Sequence, residues 1–335
     1  MKAMVLAAGF GTRLSPLTRF LPKPMFPVMN RPVLEYTLTL LRSCGIREIV
    51  VNLHHLSEKV VDHFGDGKAL GVDLHYSREE SILGTAGGIK AAQKFLEDGP
   101  FLVVNSDIFV DIDLRRAIEY HREKKSCLTL VLKPGDSLEL FDPIEVAPDG
   151  RVVHFVGASS RNVPEIASRV TFTGIQIMEP EIFSRIPVGR FCGTTDAVFP
   201  GMVEEGLPVY GYIHEGYWND MGNRASYLQL HKDIFDGKAG AGLARNPDFP
   251  KETLIVPPVF IGKECHIAAN AQIGPYATLG DGCRIKYGAV VERSVCWDNV
   301  QVGVDATVRH SVLGSGASAA DRQEIAGQLL APPEK

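Results

Sequence analysis

The residues best suited to chemistry lie near the start of the chain. Leu6-Ala7-Ala8-Gly9-Phe10-Gly11-Thr12-Arg13-Leu14 follows a short apolar run. Small residues let a ligand approach the backbone, and exposed N–H groups in such a turn wrap phosphate oxygens. Arg13 stands at the tip of this loop, and Lys23 is locked between Pro22 and Pro24. A lysine held rigidly beside a phosphate-cradling turn is suited to neutralising an anion. The turn is not a P-loop, because no Gly-Lys-Ser/Thr follows it. Nor is it the dinucleotide fingerprint, whose third glycine would fall at Leu14.

Two aspartates and a second small-residue turn join these candidates. Asp107 follows the apolar run Phe101–Asn105, which reads as a buried strand. The carboxyl ends of parallel strands are where such sheets bind ligands. Asp220 lies in Gly216-Tyr217-Trp218-Asn219-Asp220-Met221-Gly222. Carboxylate oxygens are what Mg²⁺ prefers. Leu83-Gly84-Thr85-Ala86-Gly87-Gly88 opens a helix, where Thr85 is also an ordinary N-cap candidate.

Elements able to position these residues alternate along the first part of the chain. Met4–Ala7, Glu48–Leu53, Val72–Tyr76, Phe101–Asn105 and Cys127–Leu132 read as strands. Val33–Cys44, Leu56–Phe64, Thr85–Leu96 and Leu114–Lys124 carry helical periods. This rhythm predicts an α/β domain, Rossmann-like, with a mixed and mostly parallel sheet covered on both faces. Residues 140–215 are richer in strand patterns, with Arg151–Val156 and Thr171–Met178.

After Asp236 the composition changes. Gly237–Pro250 reads as linker. Ile261, Ile267, Ile273, Leu279, Ile285, Val291 and Trp297 then recur every six residues, with small residues at Cys265, Ala271, Ala277, Cys283 and Ala289. That period predicts a short left-handed parallel β-helix of about three coils. The expected organisation is a Rossmann-like domain at 1–236, a linker at 237–257, a β-helix at 258–316, and a closing helix and tail at 317–335. An open solenoid edge needs a cap or a partner, so a homo-oligomer through the β-helix is expected.

Composition narrows the function classes. The chain has 335 residues, 45% hydrophobic and 22% charged, with a formal net charge of −5. That charge balance argues against a general nucleic-acid binder. No apolar run approaches the ~20 residues of a membrane helix, so no membrane partner is expected. The apolar stretch Ala3–Ala8 is too short for a signal peptide. Six cysteines without a C-x-x-C pair give no zinc ribbon, and a reducing cytoplasm is the expected location.

The string LAAGFGTRLSPLTRFLPKPMFPV resembles the signature of the sugar nucleotidyltransferases, the NDP-sugar pyrophosphorylases. LGTAGGI at 83–89, VVNSDIF at 103–109 and GYWNDMG at 216–222 extend the resemblance over most of the first domain, and a hexapeptide-repeat tail also occurs in this family. Within it, the motifs look most like the mannose-1-phosphate guanylyltransferase branch. The resemblance implies Mg²⁺-dependent transfer of a nucleotidyl group from a nucleoside triphosphate to a sugar 1-phosphate. It implies a nucleotide site at Leu6, Ala7, Ala8, Gly9, Gly11, Thr12, Arg13, Gly84 and Thr85, with the 83–88 turn on the base. It implies sugar contacts at Asn105, Glu145, Thr173 and Gly174, and metal ligation by Asp107 and Asp220. Such a reaction joins two anions, so Arg13 on the outer phosphates and Lys23 near the α-phosphate would offset their repulsion. No general base is needed, since the attacking phosphate is already ionised.

Two positions depart from the family pattern. A lysine that grips the sugar phosphate after the "GRVVxF" strand is missing here, with Arg161 or Arg169 as substitutes, and a Phe/Tyr-Gly pair is Phe141-Asp142. Both weaken mannose against glucose or an amino sugar. Glucose-1-phosphate uridylyl or thymidylyl transfer and N-acetylmuramate-1-phosphate uridylyl transfer are the alternatives. Of other classes, a non-catalytic regulatory homologue and a hexapeptide acyltransferase using His266 or His310 remain.

Overall fold

The computed structural model describes residues 1–134, 144–160, 166–240 and 253–333. They fall into two compact bodies, Met1–Gly9 with Leu34–Trp218, and Phe10–Val33 with Asn219–Lys335. Arg161, Phe141 and Asp142 lie outside the described residues, as does most of the expected linker.

The first body is built on a ten-stranded mixed sheet. Its centre is parallel: Lys2–Leu6 lies between Glu48–Leu53 and Phe101–Asn105, and Asp73–Arg78 flanks Glu48–Leu53. Met4, Val50, Val103 and Phe101 are buried in one apolar cluster, as unbroken β-branched and aromatic runs require when both sheet faces are covered. Ser168–Met178 adds to Phe101–Asn105 in the antiparallel sense, and on its other side its pairing with Leu128–Lys133 shifts register between Phe172 and Gln176. The chain leaves the first strand toward Glu48–Leu53 on one side and returns to Phe101–Asn105 on the other. That reversal opens a crevice beside Leu6, whose neighbours in register are Asn52 and Asn105. The expected helix at Thr85–Leu96 is two pieces, Gly84–Ala91 and Gln93–Leu96.

The second body holds the loop after the first strand, a helix at Arg224–Phe235 and the β-helix. The helix begins with a capping box between Asn223 and Ser226. The β-helix has three parallel sheets of five, five and four strands and a single apolar core. It starts at Leu254–Ile255, inside the expected linker, and runs to Leu329–Leu330. The expected closing helix is therefore strand: Glu324–Ala326 pairs in register with Thr307–Arg309. A neighbouring coil templates the segment and overrides its helix-forming residues. The solenoid is also longer than the expected three coils.

The hexad does not hold throughout. Leu254 pairs with Gln272 and Gln272 with Val290, steps of eighteen, but Val290 pairs with Thr307 and Thr307 with Glu324, steps of seventeen. The lost residue shifts the inward position from Trp297 to Cys296, which pairs with Leu279. Ser294 and Ser311 sit at the shortened corner, where each hydroxyl accepts the N–H of the next coil, Ser311 at 3.1 Å and Gln328 at 3.0 Å.

His231 on the 224–235 helix is fully buried, with Nδ1 3.0 Å from the Thr278 hydroxyl. Burial lowers its pKa to about 3. In the unfolded chain it titrates near 6.5, so below that pH the unfolded state binds the extra proton and stability falls. Between pH 6 and pH 4 this single group is expected to cost about 1.4 kcal/mol per pH unit. Urea melts of the wild type and His231→Gln across that window measure it: the variant should lose the His231 share of the slope.

Candidate active site

In the first body, Asn52 and Asn105 flank Leu6 in register at the strand ends, with Ala7 next along the chain. Asn52 is 2% exposed, and its side-chain oxygen takes the Ala7 N–H at 2.7 Å. Its amide donates to Glu79 Oε1 at 2.6 Å, and Glu79 Oε2 accepts the Leu83 N–H at 2.9 Å. A buried, charge-assisted network thus ties the start of the glycine loop to the start of the 83–88 turn. It also means that the Ala7 N–H is already engaged and is not a phosphate donor in this state. His54 Nδ1 contacts the Glu79 carbonyl at 2.8 Å, which gives that histidine a structural place. Sequence reading missed Asn52 and Glu79. The available signal was a polar residue, Asn52, inside the otherwise apolar run 49–53.

Gly84 opens its helix as expected, but the Thr85 hydroxyl does not cap it. The residue before the helix is Leu83, without a side-chain cap. The Thr85 hydroxyl instead accepts the Thr194 N–H at 2.8 Å and lies 3.0 Å from the Thr194 hydroxyl. The 83–88 turn is thereby closed by segment 192–194, with Cys192 N–H on the Leu83 carbonyl at 2.8 Å.

Three of the four expected sugar-side residues meet. Gly174 has φ +84° and lies so close to Asn105 that a Cβ would stand 2.6 Å from its amide nitrogen. The Thr173 hydroxyl donates to the Val131 carbonyl at 2.8 Å, and the Trp218 indole donates to the Thr173 carbonyl at 2.9 Å. Trp218 is a third residue that sequence reading left without a role. Glu145 lies further along the sheet, beside Arg169, whose Nε donates to it at 3.0 Å. Arg169, one substitute for the missing lysine, is thus occupied with a carboxylate. Asp107 follows the Phe101–Asn105 strand in the turn to Ile108–Val110.

In the second body, Gly11 precedes a short 3₁₀ turn at Thr12–Leu14 and lies against the aliphatic stem of Lys23. Lys23 begins a similar turn at Lys23–Met25 and is only 7% exposed. Its ammonium is 3.8 Å from Asp220 Oδ1. A Cβ at Gly222 would stand 2.9 Å from the Arg13 guanidinium and 3.0 Å from Asp220 Oδ2, so a side chain there would displace the ends of both. Arg13, Lys23 and Asp220 thus cluster around Gly222, and the sequence GYWNDMG brings its aspartate to both cations.

The loop is held from below. Phe26 is fully buried and packs edge-on to Trp297 with ring centroids 4.7 Å apart. The Tyr227 hydroxyl donates to the Pro27 carbonyl and accepts the Trp297 indole N–H at 3.1 Å. Met29 meets the Thr278 hydroxyl, and the Asn30 amide donates to Asp281 at 3.1 Å. The segment that carries Lys23 is therefore seated on the β-helix, not merely followed by it.

Among the described residues no group of three or more His, Cys, Asp or Glu side chains is placed to hold a metal. Mg²⁺ does not need such a cage, because it takes one or two carboxylates and completes its shell with water and substrate phosphate. Each of Asp107 and Asp220 offers the hard carboxylate oxygens that Mg²⁺ takes.

A family model described as nucleotidyl transferase matches residues 2–237, and one described as GMPPB C-terminal domain matches residues 255–331. A UTP–glucose-1-phosphate uridylyltransferase of Synechocystis is 34% identical over 335 residues, covering 91% of this chain and 85% of the relative. A mannose-1-phosphate guanylyltransferase of Mycobacterium tuberculosis is 30% identical, covering 87% of this chain and 83% of the relative. Among solved structures, a putative glucose-1-phosphate thymidylyltransferase from Bacillus anthracis superposes with a TM-score of 0.61 at 23% identity. It covers 75% of this chain and 98% of that one, a likeness of fold.

Proposed function

The chain belongs to the nucleotidyl transferase family, and from that premise we propose that it makes an NDP-sugar from a nucleoside triphosphate and a sugar 1-phosphate, with GTP and mannose 1-phosphate as the pair. One observation carries the reading: a buried lysine and an arginine gathered with an aspartate around Gly222. An oxygen of the sugar phosphate attacks the α-phosphorus. The bond from that phosphorus to the oxygen bridging toward the β-phosphate breaks, and pyrophosphate leaves with its electron pair. Arg13 draws charge from the β- and γ-phosphates, and Lys23 from the α-phosphate, where negative charge accumulates in the transition state. Asn105, Thr173 and Gly174 receive the sugar, and the 83–88 turn receives the base. Asp107 and Asp220 would hold Mg²⁺, which when bound supplies a Lewis acid for phosphate oxygens and the departing pyrophosphate.

The guanylyl and mannose assignment draws support from the match to the GMPPB C-terminal domain and from the Mycobacterium relative. The Synechocystis relative favours a second pair, UTP and glucose 1-phosphate. A pyrophosphate-release panel decides between them. It crosses GTP, UTP, dTTP, CTP and ATP with the 1-phosphates of mannose, glucose, N-acetylglucosamine and N-acetylmuramic acid. The expected result is one dominant signal with GTP and mannose 1-phosphate. A dominant signal with UTP and glucose 1-phosphate replaces the pair and keeps the chemistry.

A further inference from the structure

Each corner of the β-helix turns through left-handed residues, and at one corner most of them are bulky. Tyr276, Arg293, His310 and Gly327 occupy it in successive coils, at φ +57°, +46°, +46° and +65°. Such φ values suit glycine and strain bulky residues, so three of the four positions carry large side chains at a conformational cost. The fourth is Gly327, and the Arg224 guanidinium lies 3.5 Å from where its Cβ would be. With the 224–235 helix, this corner encloses a cavity of about 380 Å³, lined by Arg224, Lys232, Tyr276, Arg293 and His310 among others. That is within the roughly 300–1,000 Å³ range of small-molecule sites.

The charge there is one-sided. No carboxylate is among the lining residues. Lys232 Nζ and Arg293 stand 5.1 and 5.5 Å from the same Tyr276 ring centre. Lys232 is balanced by Asp236 at 2.5 Å, which also accepts the Tyr276 hydroxyl at 3.0 Å. Arg224 and Arg293 have no ion pair among the described residues. Two unpaired guanidiniums converging on one concavity repel each other, and an anion between them removes that repulsion.

The geometry points to a second anion site, in which Arg224 and Arg293 fork onto a phosphate-bearing small molecule, with His310 and Lys232 at its edge and Tyr276 beneath. None of these residues belongs to the transfer chemistry proposed above. The site therefore stands or falls independently of the substrate pair.

Amide chemical shifts during titration with inorganic phosphate test the assignment, run in Lys23→Ala protein so that the transfer site is weakened. Saturable shifts are expected at residues 224–232, 293 and 310. Arg224→Ala and Arg293→Gly should each weaken that binding about tenfold or more, the loss expected for one charge-assisted contact. Arg293→Gly also relaxes the corner, so its melting temperature should not fall, which separates lost binding from lost folding. Arg13→Ala should leave these shifts in place. Linear, unsaturated shifts at the cavity would overturn the proposal. So would saturable shifts that survive in Arg224→Ala/Arg293→Gly.

Discussion

Replacing Lys23 by alanine is expected to lower the turnover number by about 10²–10³-fold, the usual consequence of removing one preorganised donor from a charge-developing centre. The reason lies in its surroundings. The residue is 7% exposed, framed by Pro22 and Pro24, and its ammonium is 3.8 Å from Asp220. A solvated surface lysine would be worth far less. Arginine is not expected to rescue, because a planar fork does not fit the place of a compact ammonium beside Asp220, on a stem packed against Gly11. Asp220→Ala should also lower turnover, and the double variant should be less damaged than the product of the two single losses, because the pair acts as a unit. Steady-state kinetics of the four proteins measure this. Independent, multiplicative losses would separate the two residues.

The second large effect is expected far along the chain from the signature loop. Trp297→Ala should destabilise the protein by about 3–5 kcal/mol, as large-to-small changes at buried aromatic positions do. It should also lower turnover more than it changes KM. Trp297 is 3% exposed, packs on Phe26, and donates to the Tyr227 hydroxyl that holds the Pro27 carbonyl. Removing it leaves a cavity under the segment that positions Lys23. Trp297→Phe keeps most of the packing and loses the hydrogen bond, so it should recover most of the stability. Tyr227→Phe removes both hydroxyl contacts with little loss of volume, at a cost of about 1–3 kcal/mol for the stranded partners. Urea melts and initial rates on the same samples provide the readout. A Trp297→Ala protein that is destabilised yet keeps its full turnover would reduce the β-helix to a stabilising appendage.

The same contacts explain what was legible in the sequence and what was not. Gly9-Phe10-Gly11, the proline-framed Lys23 and the strand Phe101–Asn105 announce themselves by local composition, which is how backbone approach and double-sided burial are encoded. Asn52 and Glu79 are equally embedded in the site but depend on partners 45 and 27 positions away, Ala7 and Asn52. No local pattern carries such pairings. The six-residue period exposed the β-helix but misled at Trp297, because one deleted residue per coil moves the inward position to Cys296 and frees the indole for Phe26. At Ala319–Leu330, helix-forming residues concealed strands that only the preceding coil specifies. Thr85 was readable as a cap, and its hydroxyl instead fastens segment 192–194.

The proposed reaction is transfer at the α-phosphorus, and following labelled phosphorus tests that most directly. GTP labelled at the α-position and, separately, at the γ-position is incubated with mannose 1-phosphate, Mg²⁺ and the enzyme. The α-label should appear in a sugar nucleotide and the γ-label in pyrophosphate, in equal amounts. Release of the γ-label as inorganic phosphate, or an α-label that never leaves the nucleotide pool despite binding, would contradict the account.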